Sequence, residues 1–253
     1  MNREELQRYI GITGYSLGQV EKDYFQHIVL GALSRKVASK LVFKGGTALQ
    51  KIGITSRFSE DIDFTARKEN LGRELCEIAT DAIKKYNHPV ETNHYMQDER
   101  TLSFRIKIQG PLYRNHQGMC TIRVEISKRE TVFLKPEQKE FSPTYADILP
   151  YIIYVMQNEE ILSEKIRTIY SRQKARDLYD LYKIIKQNTI FDKNLTQKKL
   201  DYYDISFEPV TFIKRCERLK PLWSLELQSL LENVPPYQEA LTAVKNMLYE
   251  KMK

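Results

Sequence analysis

Cysteine is scarce: Cys76, Cys120 and Cys216 are the only three in 253 residues, widely spaced and in no metal-ligand pattern. An odd, scattered set excludes a disulfide framework and the usual zinc sites, and makes a reducing cytosol the expected compartment. Histidine is sparse as well. The four present, His27, His88, His94 and His116, have no close ligand or triad spacing, so structural or exposed roles are expected. No apolar run reaches the roughly 18 residues that a bilayer-spanning helix needs. The opening MNREELQRYIGITGYS also lacks the unbroken apolar core of a signal peptide. A soluble cytoplasmic protein with no membrane partner is expected. Internal repeats and low-complexity stretches are absent too.

Acidic side chains are outnumbered, with 33 Asp+Glu against 40 Lys+Arg and a formal net charge of +7. That excess favours polyanionic partners such as nucleic acid or nucleotides. A chain of this length can bury a full core, as one large domain or two small ones.

Apolar residues at Phe25, Ile28, Val29, Ala32, Leu33 and Val37 have the spacing of one buried helical face, predicting a helix over 18–40. LVFK at 41–44 is a short apolar run stopped by Gly45 and Gly46, and TALQKI resumes as a helix. The order is strand, glycine turn, helix. DIDFTA at 61–66 reads as a strand, 69–86 as a helix, and 90–134 as several strands including TLSFRIKIQ and CTIRVEIS. The fold class is therefore α/β (α+β). After FLKPEQKEFSP the pattern becomes helical, with breaks near 190–210 and at Pro235 and Pro236. Two domains are expected: 1–140, a mixed-sheet catalytic core, and 141–253, a helical region completing a cleft.

Alternate residues of a strand share a face, so Asp61 and Asp63 point one way while Ile62 and Phe64 enter the core. Two adjacent carboxylates repel unless a cation offsets them, and a hard ion such as Mg²⁺ is the usual one. A solvated strand end explains a lone D-x-D equally well. Its neighbours add weight. Gly45 and Gly46 permit a tight turn, and Thr47 stands where a helix N-cap belongs, with free N–H groups able to hold a phosphate. Arg57 and Ser59, just before the aspartates, offer a cation and a hydroxyl to the same phosphate tail. In CTIRVEIS, Arg123, Glu125 and Ser127 take the polar face; if that strand lies beside DIDF, Glu125 joins the aspartates.

GGTAL, RFSEDIDF, the later strand carboxylate and EKIRTIYSRQKARDLYDLY together resemble the AbiEii/AbiGii-type toxin nucleotidyltransferases, within the DNA polymerase β-like nucleotidyltransferase superfamily. The resemblance spans roughly residues 20–185. It implies a nucleotidyltransferase-type sheet, phosphate binding at Gly45, Gly46 and Thr47, and metal binding at Asp61 and Asp63. Thr47 stands where the superfamily more often has serine, and Glu125 where aspartate is frequent. The resemblance also implies a functional lysine at Lys165 and a last motif, R-D-x-x-D, at Arg176, Asp177 and Asp180.

On helical geometry Leu162, Lys165, Ile166 and Ile169 share a face, so Lys165 lies within an apolar stripe. Its ammonium either snorkels to the rim or points at nucleotide phosphates, and the resemblance favours the second. Asp177 borders the stripe of Leu178, Leu181, Tyr182 and Ile185, whereas Asp180 falls toward the opposite face, which makes Asp177 the better candidate. Arg167, Arg172, Lys174 and Arg176 form either an ordinary charged surface or an acceptor-binding patch. The segment from 190, with Trp223, carries no chemical signal.

The expected function is Mg²⁺- or Mn²⁺-dependent transfer of a nucleoside monophosphate from a nucleoside triphosphate to a hydroxyl of RNA, such as transfer RNA, or of protein. Asp61, Asp63 and Glu125 would hold metal, with Asp177 a further catalytic candidate, and Arg57, Ser59 and Lys165 would meet the triphosphate. The resemblance implies the toxin of a toxin–antitoxin or phage-defence pair, hence a cognate antitoxin. Two rivals remain: a metal-dependent nuclease, and a non-enzymatic module binding nucleic acid or protein.

Overall fold

A computed structural model describes residues 1–67 and 71–249, and its contacts divide the chain into two compact units. The first comprises Met1–Ala48, Ser59–Val132 and Pro136–Val155. Short helices α1 (Arg3–Arg8) and α2 (Ile10–Thr13) lead into α3 (Leu17–Val37), β1 (Leu41–Lys44), α4 (Gly45–Lys51), β2 (Asp61–Ala66) and α5 (Glu74–Lys85). Strands β3 (Val90–Gln97), β4 (Thr101–Ile108), β5 (Cys120–Ser127), β6 (Glu137–Phe141) and β7 (Tyr151–Val155) follow. Among the described residues these strands form one mixed seven-stranded sheet in the order β3-β4-β5-β2-β1-β7-β6, the mixed α/β class expected.

Alternation drives this sheet. Leu102, Phe104, Ile106, Ile122, Val124, Ile126, Ile62 and Phe64 are buried along one face of β4, β5 and β2. Each such aliphatic or aromatic side chain contributes about 1.5–3 kcal/mol when taken fully out of water. Helix α3 starts at Ser16, whose hydroxyl accepts from the Gln19 backbone while the Gln19 side chain accepts from the Ser16 N–H, a capping box. It is buried almost all round rather than on one face, because its polar side chains find partners. Glu21 accepts the Leu112 N–H (2.8 Å), Asp23 accepts the Tyr145 hydroxyl (2.8 Å) and His27 Nδ1 meets the Tyr151 hydroxyl (2.8 Å).

Helical periodicity from residue 141 onward is only part of what forms. EQKEF and YIIYV are the strands β6 and β7, β7 pairing parallel to β1 and antiparallel to β6. The four exposed polar residues at the start of β6 suit a sheet edge, where charge discourages pairing with other chains. The predicted helix 69–86 appears as α5, and its first two predicted positions lie outside the described residues.

The second unit comprises Leu49–Phe58, Phe133–Lys135 and Met156–Lys253. Its helices are α6 (Asn158–Ser171), α7 (Ala175–Ile185), α8 (Lys193–Asp201), α9 (Pro209–Glu217), α10 (Lys220–Leu227) and α11 (Tyr237–Tyr249). Leu162, Ile166, Leu178, Leu181, Phe212, Trp223 and Val244 are buried in this unit. The segment beyond 190 has an internal anchor that spacing did not reveal: Lys199 is fully buried, 2.7 Å from Glu160 and 3.0 Å from Glu164. Among the described residues no helix is long and apolar enough to cross a membrane. Cys76, Cys120 and Cys216 are free and buried.

Candidate active site

In the sheet unit, β2 carries Asp61 and Asp63 on its half-exposed face, as alternation requires. Strand β5 runs parallel beside it in a register that sets Asp63 against Glu125 and Asp61 against Arg123. On the other flank β1 is antiparallel and sets Lys44 against Asp63. One row across three strands is thus Lys44, Asp63 and Glu125; the next is Asp61 and Arg123.

The protein supplies its own counter-charges to these carboxylates. Arg123 Nη2 lies 2.6 Å from Glu125 Oε2 and its Nη1 lies 3.9 Å from Asp61 Oδ2, both pairs about half exposed. Lys44 is buried, and its ammonium meets the buried Glu130 at 2.7 Å. Neither Arg123 nor Lys44 stands out by spacing, although alternation does put Arg123 on the carboxylate face.

Glycine is obligatory at position 45 for two reasons. Its φ is +75°, a region costly for other residues, and an added Cβ would lie 2.4 Å from Asp63 Oδ2. The Asp63 carboxylate therefore rests on bare backbone at the start of α4. Thr47 departs from expectation: it sits inside the first turn of α4 rather than at an N-cap, is fully buried, and donates its hydroxyl to the Asp61 carbonyl. It ties the glycine turn to the aspartate strand. Ser59 accepts at its carbonyl from Gln26 Nε2 (2.9 Å), which pins the segment entering β2 to α3.

The donor set on this face is hard oxygen, which suits Mg²⁺ or Mn²⁺. Among the described residues no three His, Cys, Asp or Glu side chains converge as a cage. Two strand carboxylates suffice for Mg²⁺, which keeps several waters and takes its remaining ligands from substrate phosphates. The residues present therefore fit such an ion in an open site.

In the helical unit a second set of charges is fully assembled. Arg57 donates through Nε and Nη2 to the two oxygens of Asp180 (2.5 and 2.6 Å). Lys165 Nζ bridges Asp180 Oδ2 (2.6 Å) and Asp177 Oδ1 (3.1 Å). Arg172 closes the row, donating through Nε and Nη2 to Asp177 (2.7 and 2.9 Å). Arg57, Lys165 and both aspartates are buried, and Arg172 reaches out to solvent. Burial alone would raise both carboxyls, but Lys165 and Arg172 hold Asp177 well below the usual carboxylate range, and Arg57 and Lys165 hold Asp180 down. Burial also opposes the Arg57 charge, and Asp180 more than offsets it.

Three expectations change here. Asp180 is as buried as Asp177 and is the shared partner of two cations, so it does not lie toward an opposite, exposed face. Arg57 is fully engaged by Asp180 rather than turned toward a phosphate tail. Lys165 neither snorkels nor stands free. Three cations thus meet two carboxylates in this row. The flanking basic cluster is largely occupied: Lys174 pairs with Glu226 (3.6 Å) and the Arg167 guanidinium lies 4.6 Å from the Tyr203 ring centroid. His94 and His116 are exposed, whereas His27 and His88 are buried.

Residues 29–246 match the family model described as nucleotidyl transferase AbiEii toxin, type IV toxin–antitoxin system. MenT4, a nucleotidyltransferase toxin from Mycobacterium tuberculosis, is similar in structure with a TM-score of 0.67 and 22% identity, over 98% of this chain and 88% of that one. JHP933 from Helicobacter pylori is similar with a TM-score of 0.63 and 20% identity, over 93% of this chain and 92% of that one. At such identities the likeness establishes the fold. No curated protein sequence matches the chain.

Proposed function

The chain belongs to the nucleotidyl transferase AbiEii toxin family, and from that premise we propose that it moves a nucleoside monophosphate from a nucleoside triphosphate to an acceptor hydroxyl. The acceptor hydroxyl gives its proton to Glu125 or to water, its oxygen bonds to the α-phosphorus, the bond from that phosphorus to the bridging oxygen breaks, and pyrophosphate leaves. The observation that carries the reading is the carboxylate face of β2, where Asp61 and Asp63 stand together and Asp63 rests on the Cβ-less Gly45.

Asp61 and Asp63 would hold the divalent ion, with Glu125 as the third oxygen ligand once it exchanges Arg123 for the ion. When bound, Mg²⁺ or Mn²⁺ supplies charge stabilisation to the attacking and leaving oxygens. Gly45 and Gly46 let the backbone approach phosphate closely. Thr47 and Ser59 keep the turn and the entry to β2 in place through their bonds to the Asp61 carbonyl and Gln26. Lys165, held between Asp177 and Asp180, would neutralise developing phosphate charge. Arg57, Asp177 and Asp180 would orient Lys165. The acceptor is RNA, such as transfer RNA, or protein, and a cognate antitoxin is the expected cellular partner in the cytoplasm.

Incubating the protein with each α-labelled triphosphate, Mg²⁺ and total cellular RNA or protein tests the reading. Label should enter one polymer fraction from one or more triphosphates. Polymer cleavage without triphosphate would replace this reading with a nuclease, and no reaction with any mixture would overturn it.

A further inference from the structure

The surroundings of Arg123 follow from its place in β5. It lies two residues before Glu125 on the same face, and register sets it beside Asp61 of β2 on one flank and Arg105 of β4 on the other. Its guanidinium reaches along its own strand to Glu125 (2.6 Å) and across to Asp61 (3.9 Å). A like charge directly opposite is unfavourable, so Arg105 repels Arg123 in the direction that the carboxylates attract it. Arg123 thus holds two of the three carboxylates assigned to the divalent ion, and among the described residues those three do not converge as a cage.

Such contacts exchange readily. The side chains of Arg123 and Glu125 are 41% exposed and that of Asp61 is 42% exposed, and ion pairs so open to water shift an equilibrium by no more than about fivefold. A divalent ion carries twice the charge of a guanidinium and can take the carboxylates from it. Arg123 then has no protein acid to turn to. Glu60, next to Asp61 in the chain, is paired with Lys22 (3.1 Å), Glu130 is paired with the buried Lys44 (2.7 Å), and Glu91 of β3 faces His116 (3.3 Å). An anion brought from outside remains, and a phosphate matches the planar fork of a guanidinium.

We propose that Arg123 couples the two ligands of the transfer reaction: in the free protein it occupies Glu125 and Asp61, and when the divalent ion takes these carboxylates it passes to a phosphate of the triphosphate. This coupling rests on the proposed transfer reaction and on its two ligands sharing one site. The ion frees the guanidinium that the phosphate needs, and the phosphate restores the partner that the guanidinium lost. Each ligand therefore raises the affinity for the other, by the same factor in both directions. A divalent ion arriving alone is resisted.

The coupling is read at equilibrium, without turnover. Binding of Mn²⁺ alone is followed by the electron paramagnetic resonance signal of the free ion. Binding of fluorescent α,β-methylene analogues of the four ribonucleoside triphosphates, whose α–β link cannot break, is followed by anisotropy in EDTA and again in saturating Mn²⁺. In Arg123→Gln, Mn²⁺ alone should bind about three- to fivefold more tightly than in wild type, the worth of half-exposed ion pairs released. The analogue that wild type prefers should bind this variant about tenfold more weakly in Mn²⁺, the scale of one charge-assisted hydrogen bond. In EDTA the same substitution should cost little, because Arg123 is then held by its carboxylates. Arg123→Lys keeps the charge and should leave the affinity for Mn²⁺ alone near that of wild type. Lys107→Gln removes a charge from the same face of β4, opposite Thr121, more than about 10 Å from Asp61 and so beyond a Debye length at 0.1 M salt; it should change neither affinity. Mn²⁺ binding that is no tighter in Arg123→Gln, or analogue binding in Mn²⁺ that stays unchanged, overturns the proposal. So does an equal loss of analogue binding in EDTA, which would make Arg123 a plain phosphate contact, or an equal response in Lys107→Gln, which would make the effect one of general charge. A wild type that binds neither Mn²⁺ nor any analogue removes the transfer site, and the coupling with it. The expected Arg123 pattern in a protein that transfers no nucleotide would sink the reaction and uphold the coupling.

Discussion

Lys165→Met should change both the stability of the helical unit and nucleotide transfer. Methionine keeps most of the lysine stem's volume and removes only the ammonium. In wild type that ammonium lies 2.6 Å from Asp180 and 3.1 Å from Asp177, both fully buried. Deleting one member of a buried charge pair costs about 3–5 kcal/mol, because a carboxylate is left short of compensation. Here each aspartate keeps an arginine, Asp180 through both oxygens to Arg57 and Asp177 to Arg172. The loss should therefore fall at the lower end, about 3 kcal/mol. For a chain of this size that is a fall in melting temperature of roughly 6–12 °C. Trp223, the only tryptophan, is buried in α10 of the helical unit, so its fluorescence in a urea titration reports that unit directly. At a temperature where the variant stays folded, nucleotide transfer should fall roughly a hundredfold, the scale of one lost preorganised electrostatic group. An unfolding midpoint equal to or above that of wild type would refute the reasoning, since it would mean that the charge reaches solvent and the pairs contribute nothing.

Gly45→Ala should cost about 1–2 kcal/mol for its left-handed backbone alone, and because its Cβ would meet the Asp63 carboxylate, triphosphate-induced thermal stabilisation should shrink as well. In acid the sign follows from the depressed carboxyls: the stability contributed by Asp177 and Asp180 is fully present above about pH 4 and is lost as pH falls through their folded values. Asp180→Asn should flatten that acid slope while lowering stability near neutrality, which Trp223 fluorescence can follow. Lys199→Met leaves Glu160 and Glu164 buried without their shared cation and should destabilise by about 3–5 kcal/mol, measurable by urea titration.

Much of the sheet was legible because strands buried on one face write their pattern plainly. DIDFTA and CTIRVEIS form β2 and β5 at the bounds alternation predicts, and their parallel pairing brings Glu125 to Asp63. The glycine turn after LVFK was legible for the same local reason. YIIYV was not: its alternation of buried and exposed positions is hidden because the outward Ile152 is itself apolar, and so short an apolar run resembles a buried helix segment. EQKEF reads as a polar linker because edge strands carry the charges that linkers do. Helix α3 shows only part of its buried surface in sequence, because Glu21, Asp23 and His27 enter the interior with partners far along the chain. The same distance hides the ion row: Arg57 and Asp180 are 123 residues apart, and no spacing rule links them.

The most direct test is transfer by Asp63→Asn, which removes a charge from the carboxylate face with almost no change of shape. With α-labelled triphosphate, Mg²⁺ and the acceptor fraction that wild type labels, the variant should be folded and its transfer rate at least about a hundredfold lower, the scale of losing one preorganised charge at the reacting phosphate. A folded Asp63→Asn protein that labels the same acceptor at the wild-type rate would contradict the assignment of this face as the catalytic site.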